Sequence, residues 1–71
     1  ERELTMQNRL RVIRAELGMS QDALARLSGL SRATVNRIEK GHYIPTGNTM
    51  MKISRALRRP CTSIFLSLAA V

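Results

Sequence analysis

Arg32, Ala33, Asn36, Arg37 and Lys40 are spaced by one, three, one and three residues, which places them on one face of an α-helix. These residue types, presented together, have a specific chemistry open to them. An arginine fork matches the two acceptors on the major-groove edge of guanine, an asparagine amide matches adenine, and an alanine methyl can meet the methyl of thymine. A solvated helix face accounts for the same charges without any ligand. What separates the two readings is whether the rest of the chain holds this face at a fixed angle.

The residues around it are arranged to do so. Val35 and Ile38 lie on the inward side of the same helix, Ser31 stands at its N-cap and Gly41 closes it after Lys40, giving a helix over 32–40. Ahead of it, Ser20 caps a helix over 21–28, with Asp22 in the first turn near the positive end of the helix dipole. Ala25 is small enough for two crossing helices to approach closely, and Gly29 supplies the positive φ that a reversal within about 3 to 4 residues favours. Leu24, Leu27, Leu30, Val35 and Ile38 are then expected to close an apolar wedge. A small residue, a turn glycine and β-branched core residues at fixed offsets coincide by chance far less often than a basic patch does.

The remaining chain reads as three more helices. Leu10, Val12, Ile13 and Leu17, with Met6 one turn earlier, predict a first helix over 4–17 that Gly18 ends. After a loop over 42–45, Thr46 caps a helix over 47–57 with an apolar stripe of Met50, Ile53, Ala56 and Leu57. Arg58-Arg59-Pro60 interrupts it, and a last helix over 61–69 offers Ile64, Phe65 and Leu68 to the core. Five helices with short connections argue for an all-α, compact five-helix bundle, with residues 1–71 forming one domain.

Composition narrows the functions. The 71 residues carry 12 Lys and Arg against 5 acids, a formal net charge of +7, which points to a polyanionic partner. The aromatics are Tyr43 and Phe65 alone, so the core is aliphatic. One cysteine, Cys61, allows no internal disulfide framework and fits a reducing cytoplasm. No run approaches the roughly 20 apolar residues that span a bilayer, so no membrane partner is expected. The start at Glu1 leaves room for residues or a domain upstream. His42 and Cys61 make no metal-ligand set, Ser31 and Ser63 lack a histidine or acid at a nucleophile's spacing, and no glycine-rich loop precedes a helix. The expectation is a non-enzyme with no metal, no cofactor and no small-molecule ligand.

The stretch GMSQDALARLSGLSRATVNRIEKG, followed by Pro45-Thr46, KISRAL at 52–57 and Ile64-Phe65, resembles the helix-turn-helix of the phage repressor and Cro (XRE) family. The resemblance implies a lambda-repressor-like fold in which helices two and three form the helix-turn-helix and helix three reads the major groove. It implies base-reading roles for Arg32, Ala33, Asn36 and Arg37. It assigns Gln21, Lys40, His42 and Tyr43 to DNA phosphates, and Arg14 with Glu39 to a structural ion pair. Two departures stand out: Arg58, Arg59 and Pro60 replace the usual glycine, hydrophobe and serine after helix four, and Gly47 replaces a larger apolar residue.

The run SIFLSLAAV holds more apolar residues than one short helical face can bury. Single-domain members of the family commonly bind DNA as twofold dimers, so Ile64, Phe65, Leu66, Leu68 and Val71 are expected at a homodimer contact. The resulting expectation is a sequence-specific, double-stranded-DNA-binding transcriptional regulator of the repressor kind, cytoplasmic and nucleoid-associated in a bacterial or phage setting. It would act on a roughly palindromic operator. The alternatives are the antitoxin of a toxin–antitoxin pair, a protein-interaction module that has kept the fold, and the DNA-binding piece of a longer protein.

Overall fold

Local capping determines where the central helices begin. The Ser20 hydroxyl accepts the N–H of Ala23 at 3.0 Å, Ser31 that of Thr34 at 3.1 Å, and Thr46 that of Thr49 at 3.2 Å. Each satisfies one of the donors that a helix start leaves without an intrahelical partner. In the computed structural model, which describes residues 4–70, the order is β1 (Leu4–Asn8), α1 (Leu10–Glu16), α2 (Gln21–Ser28), α3 (Arg32–Glu39), α4 (Gly47–Leu57), α5 (Cys61–Ile64) and β2 (Phe65–Ala70). The five expected helices are present, and α2, α3 and α4 match their sequence bounds to within a residue. Gly29 has φ +71° at the C-cap of α2, the left-handed turn that swings the chain into α3.

The two ends of the chain differ from expectation. The helix expected over 4–17 is a strand followed by a shorter helix, and the helix expected over 61–69 is a single turn followed by a strand. β1 and β2 pair antiparallel, from Leu4 opposite Ala70 to Asn8 opposite Phe65, with a shift of register at the step from Gln7 to Asn8. Alternation of Leu4 and Met6 with Thr5 and Gln7 suits a strand as well as a helix, and a hydrogen-bonded partner outweighs the helix propensity of the Leu- and Ala-rich C-terminal run. Asn8 marks the switch from strand to helix. Its Oδ1 accepts the Leu10 N–H at 3.1 Å, its Nδ2 donates to the Ile38 carbonyl at 2.9 Å, and the neighbouring Arg9 N–H donates to the Ile64 carbonyl at 2.8 Å.

The core is aliphatic and draws on every helix: Leu10 and Ile13 from α1, Leu24 and Ala25 from α2, Val35 and Ile38 from α3, Ile53 and Leu57 from α4, and Ile64 from α5. Met19, Leu30, Tyr43, Ala56 and Phe65 pack around it. Three residues expected inside are on the surface. Val12 is exposed on α1 and Leu17 at its C-cap, and Leu27 is 63% exposed on α2, where Ser28 takes the inward position instead and donates its hydroxyl to the Leu24 carbonyl at 2.6 Å.

Candidate nucleic-acid interface

With Val35 and Ile38 buried, α3 turns Arg32, Ala33 and Arg37 to solvent, followed by Lys40 at its C-cap, while Asn36 is half-buried at the α2 side. The expected base-reading residues therefore share one outer face, but they are not equally free.

Asn36 belongs to a hydrogen-bonded relay that links three helices. Its root is the pair between Arg14 of α1 and Glu39 of α3, in which the guanidinium Nε donates to Oε2 and Nη2 to Oε1 at 3.1 Å. Arg14 Nη1 also donates to the Met19 carbonyl at 2.7 Å, so the same side chain holds the turn between α1 and α2. Both partners are largely withdrawn from water, as the ion-pair expectation requires. The hydrogen bond to Glu39 raises the Arg14 pKa above its ordinary value; burial opposes the shift and the charge attraction assists it. Gln21, the first residue of α2, then donates to Glu39 Oε1 at 3.0 Å and to Asn36 Oδ1 at 3.2 Å. Glu39 is thus the point at which α1, α2 and α3 are tied together, which fixes the angle at which α3 presents its outer face.

The far end of α3 is braced differently. The Arg37 guanidinium lies over the Tyr43 ring, 5.4 Å from its centroid, and Tyr43 is half-buried against the core. The His42 N–H donates to the Arg37 carbonyl at 3.2 Å and closes the last turn. Lys40 and Arg37 also sit at the negative end of the helix dipole, where cations are favoured.

A cleft lined by Arg11, Arg14, Gln21, Asn36, Glu39 and Lys40 runs between the start of α2 and the end of α3. Arg11 and Asn8 were not among the sequence candidates. Arg11 stands three residues before Arg14, so helical periodicity brings it to the same cleft. Asn8, bonded to the last turn of α3, carried no local signal, because its partner carbonyl lies in an element distant in sequence.

A helix-turn-helix family model matches residues 10–64, from the first residue of α1 to the last of α5. The chain belongs to the helix-turn-helix family. It is 37% identical over 60 residues to the uncharacterized HTH-type transcriptional regulator YgzD of Bacillus subtilis, covering 84% of this chain and 91% of that protein. Another uncharacterized HTH-type transcriptional regulator, from Methanothermobacter thermautotrophicus, is 41% identical over 54 residues, 76% of this chain and 78% of that one. Among solved structures, the restriction-modification controller protein C.AhdI from Aeromonas hydrophila superposes with a TM-score of 0.75 at 36% identity, covering 78% of this chain and 83% of its own. The P22 c2 repressor, solved in complex with a synthetic operator, gives 0.72 at 28% identity, covering 76% and 82%. As a member of this family the chain is a DNA-binding transcriptional regulator, with α2 and α3 as its helix-turn-helix.

The family's outer face on α3 is accordingly the candidate interface. The expected dimer residues are dispersed: Ile64 is fully buried in the chain's own core and has no surface to give a partner, and Phe65 packs against that core. Leu66 and Leu68 lie in β2, where only the backbone is described, and Val71 lies outside the described residues. No helix among the described residues is long and apolar enough to cross a membrane.

Proposed function

We propose that the protein is a repressor that places α3 in the major groove, with Arg32, Ala33, Asn36 and Arg37 toward the bases. The observation that carries this reading is the exposed face of α3 held at a set angle by the Arg14–Glu39–Gln21 relay on one side and the Tyr43 ring on the other. Lys40, His42 and Arg11 flank that face, where cations and a loop imidazole meet the phosphate backbone. The backbone N–H groups at the start of α2 supply a second, uncharged anchor for a phosphate.

The unit that binds is a homodimer on a roughly palindromic operator, its half-sites about 34 Å apart so that two related helices meet the same side of the duplex. With Ile64 taken by the core, the contact falls to β2, Phe65 and Met51, which is exposed on α4. The setting is cytoplasmic and associated with the nucleoid.

Selection of bound duplexes from a random pool tests this. The expected product is an inverted repeat with the stated spacing, and replacing Arg32, Asn36 and Arg37 together by alanine should abolish selection while leaving the helical circular dichroism intact. Unchanged selection by that variant would remove α3 as the reading element. Sedimentation at micromolar concentration tests the dimer, and a persistent monomer on and off DNA would refute it.

A further inference from the structure

We infer that Gln21 is a positioning residue for Asn36, setting which end of the Asn36 amide faces the groove, and that its side chain is not a phosphate ligand. The inference rests on the proposed placement of α3 against the bases.

A glutamine amide has two N–H donors and one carbonyl oxygen. The carboxylate of Glu39 only accepts, and Arg14 holds it in place, so the amide end of Gln21 that faces it at 3.0 Å must be the NH2 end. The second N–H is then directed at Asn36, 3.2 Å away. An NH2 group there would repel the donor, so Asn36 must turn its oxygen toward Gln21. Both amide orientations follow from a single anchored carboxylate. Each donor of Gln21 is engaged, and the polar atom left over is its carbonyl oxygen, which a phosphate repels. On this reading the Gln21 side chain positions Asn36, where the sequence expectation has it donate to the DNA backbone.

The consequence lies at Asn36. An asparagine free to rotate offers either its donor or its acceptor end, and so tolerates different base edges. Here the oxygen is directed to α2, which leaves the Nδ2 end facing the other way. Discrimination at the base pair opposite Asn36 therefore depends on a residue in another helix that touches no base.

The decisive comparison uses the full chain and Gln21→Met, which keeps the side-chain length and removes both donors, with Gln21→Ala as a second variant that adds no bulk. Affinities are measured at constant salt for the selected site and for each of its single-base-pair changes. The expected result is loss of preference at one base pair by about two- to tenfold, what one hydrogen bond contributes. The other positions should keep their profile, and Gln21→Met should have no further effect in an Asn36→Ala background. A uniform loss across all sequences, with the preference profile intact, is what a phosphate ligand gives and would overturn the inference. So would an unchanged profile. A separate measurement needs no DNA: side-chain amide order parameters from NMR of the free protein should show Asn36 ordered in the native chain and released in Gln21→Met. An Asn36 amide already mobile in the native chain refutes the positioning, whereas an ordered one in a protein that selects no duplex refutes only the reading of function.

Discussion

Arg37 and Tyr43 form a cation–π pair in which the last arginine of the outer α3 face lies over an aromatic ring that is itself seated on the core. The sequence expectation assigns the two residues separate tasks, base reading for one and phosphate contact for the other. The geometry makes the ring a support for the guanidinium. A guanidinium held over a ring keeps its edge N–H groups available while losing conformers that would not reach the groove, so part of the ordering needed for binding is already in place.

Ring and hydroxyl can be separated by substitution at Tyr43. Tyr43→Leu should weaken binding to the selected duplex by about two- to fivefold, from a cation–π contribution of about 0.5–1 kcal/mol at an exposed site. Tyr43→Phe should bind nearly as the native protein does. If Tyr43→Phe loses as much as Tyr43→Leu in a titration by fluorescence anisotropy, the hydroxyl is the functional group and the cation–π contact is incidental.

Glu39 is predicted to matter more for folding than any other acid among the described residues, because it pairs with Arg14 and also receives Gln21 in a largely buried position. Glu39→Ala leaves the Arg14 charge without its partner and should destabilise by about 3 kcal/mol, read from urea midpoints at constant slope. Arg14→Lys should itself lose much of this stabilisation, since one ammonium cannot make the bidentate contact and reach the Met19 carbonyl together. The pH dependence follows from the raised Arg14 pKa. A cation with a raised folded pKa contributes stability that is complete below its unfolded value and lost only as pH rises through the folded one. For an arginine that window lies in strong alkali, so the loss on Glu39→Ala should be the same at pH 7 and pH 9. A loss that shrinks between them would assign the coupling to another group.

Arg58 adopts φ +56° at the C-cap of α4, a left-handed conformation that a glycine takes without steric strain. Its position is the one at which the resemblance to the repressor family leads one to expect glycine. Arg58→Gly should therefore raise stability by about 0.5–1 kcal/mol, the strain relieved being partly offset by the greater freedom of glycine in the unfolded chain. A lowered thermal midpoint would show that the Arg58 side chain makes contacts worth more than the strain.

How much of this was legible follows the range of each interaction. Ser20, Gly29, Ser31 and Thr46 act within three or four residues of themselves, so α2, α3 and the start of α4 could be placed from sequence alone. The Arg14–Glu39 pair is distant in sequence but is implied by the family resemblance, which pairs an arginine of the first helix with the glutamate that ends the third. β1 and β2 had neither aid. Their pairing joins segments far apart in sequence, and the family match, over residues 10–64, lies between them. The donor count at Gln21 was also out of reach, because only the three-dimensional meeting of α2 with α3 shows that both of its N–H groups already have acceptors.

Leu27 reports which face of α2 turns toward the core. A spacing of three from Leu24 suggests that both leucines are core, yet the buried positions are Leu24, Ala25 and Ser28, and Leu27 lies 63% exposed beside Ala23 and Arg26. The helix is rotated so that the four-residue step to Ser28, not the three-residue step to Leu27, follows the core. Ser28 is tolerated there because its hydroxyl is satisfied by the Leu24 carbonyl. Leu27→Gln should accordingly change stability by no more than about 0.5 kcal/mol, whereas Leu24→Ala should cost about 3 kcal/mol through the cavity it opens. Since Leu27 is absent from the α3 face and from the Gln21 cleft, the same Leu27→Gln variant should bind the selected duplex with native affinity. A destabilisation of Leu27→Gln comparable to that of Leu24→Ala would mean that α2 turns Leu27 toward the core and carries Gln21 away from Glu39 and Asn36.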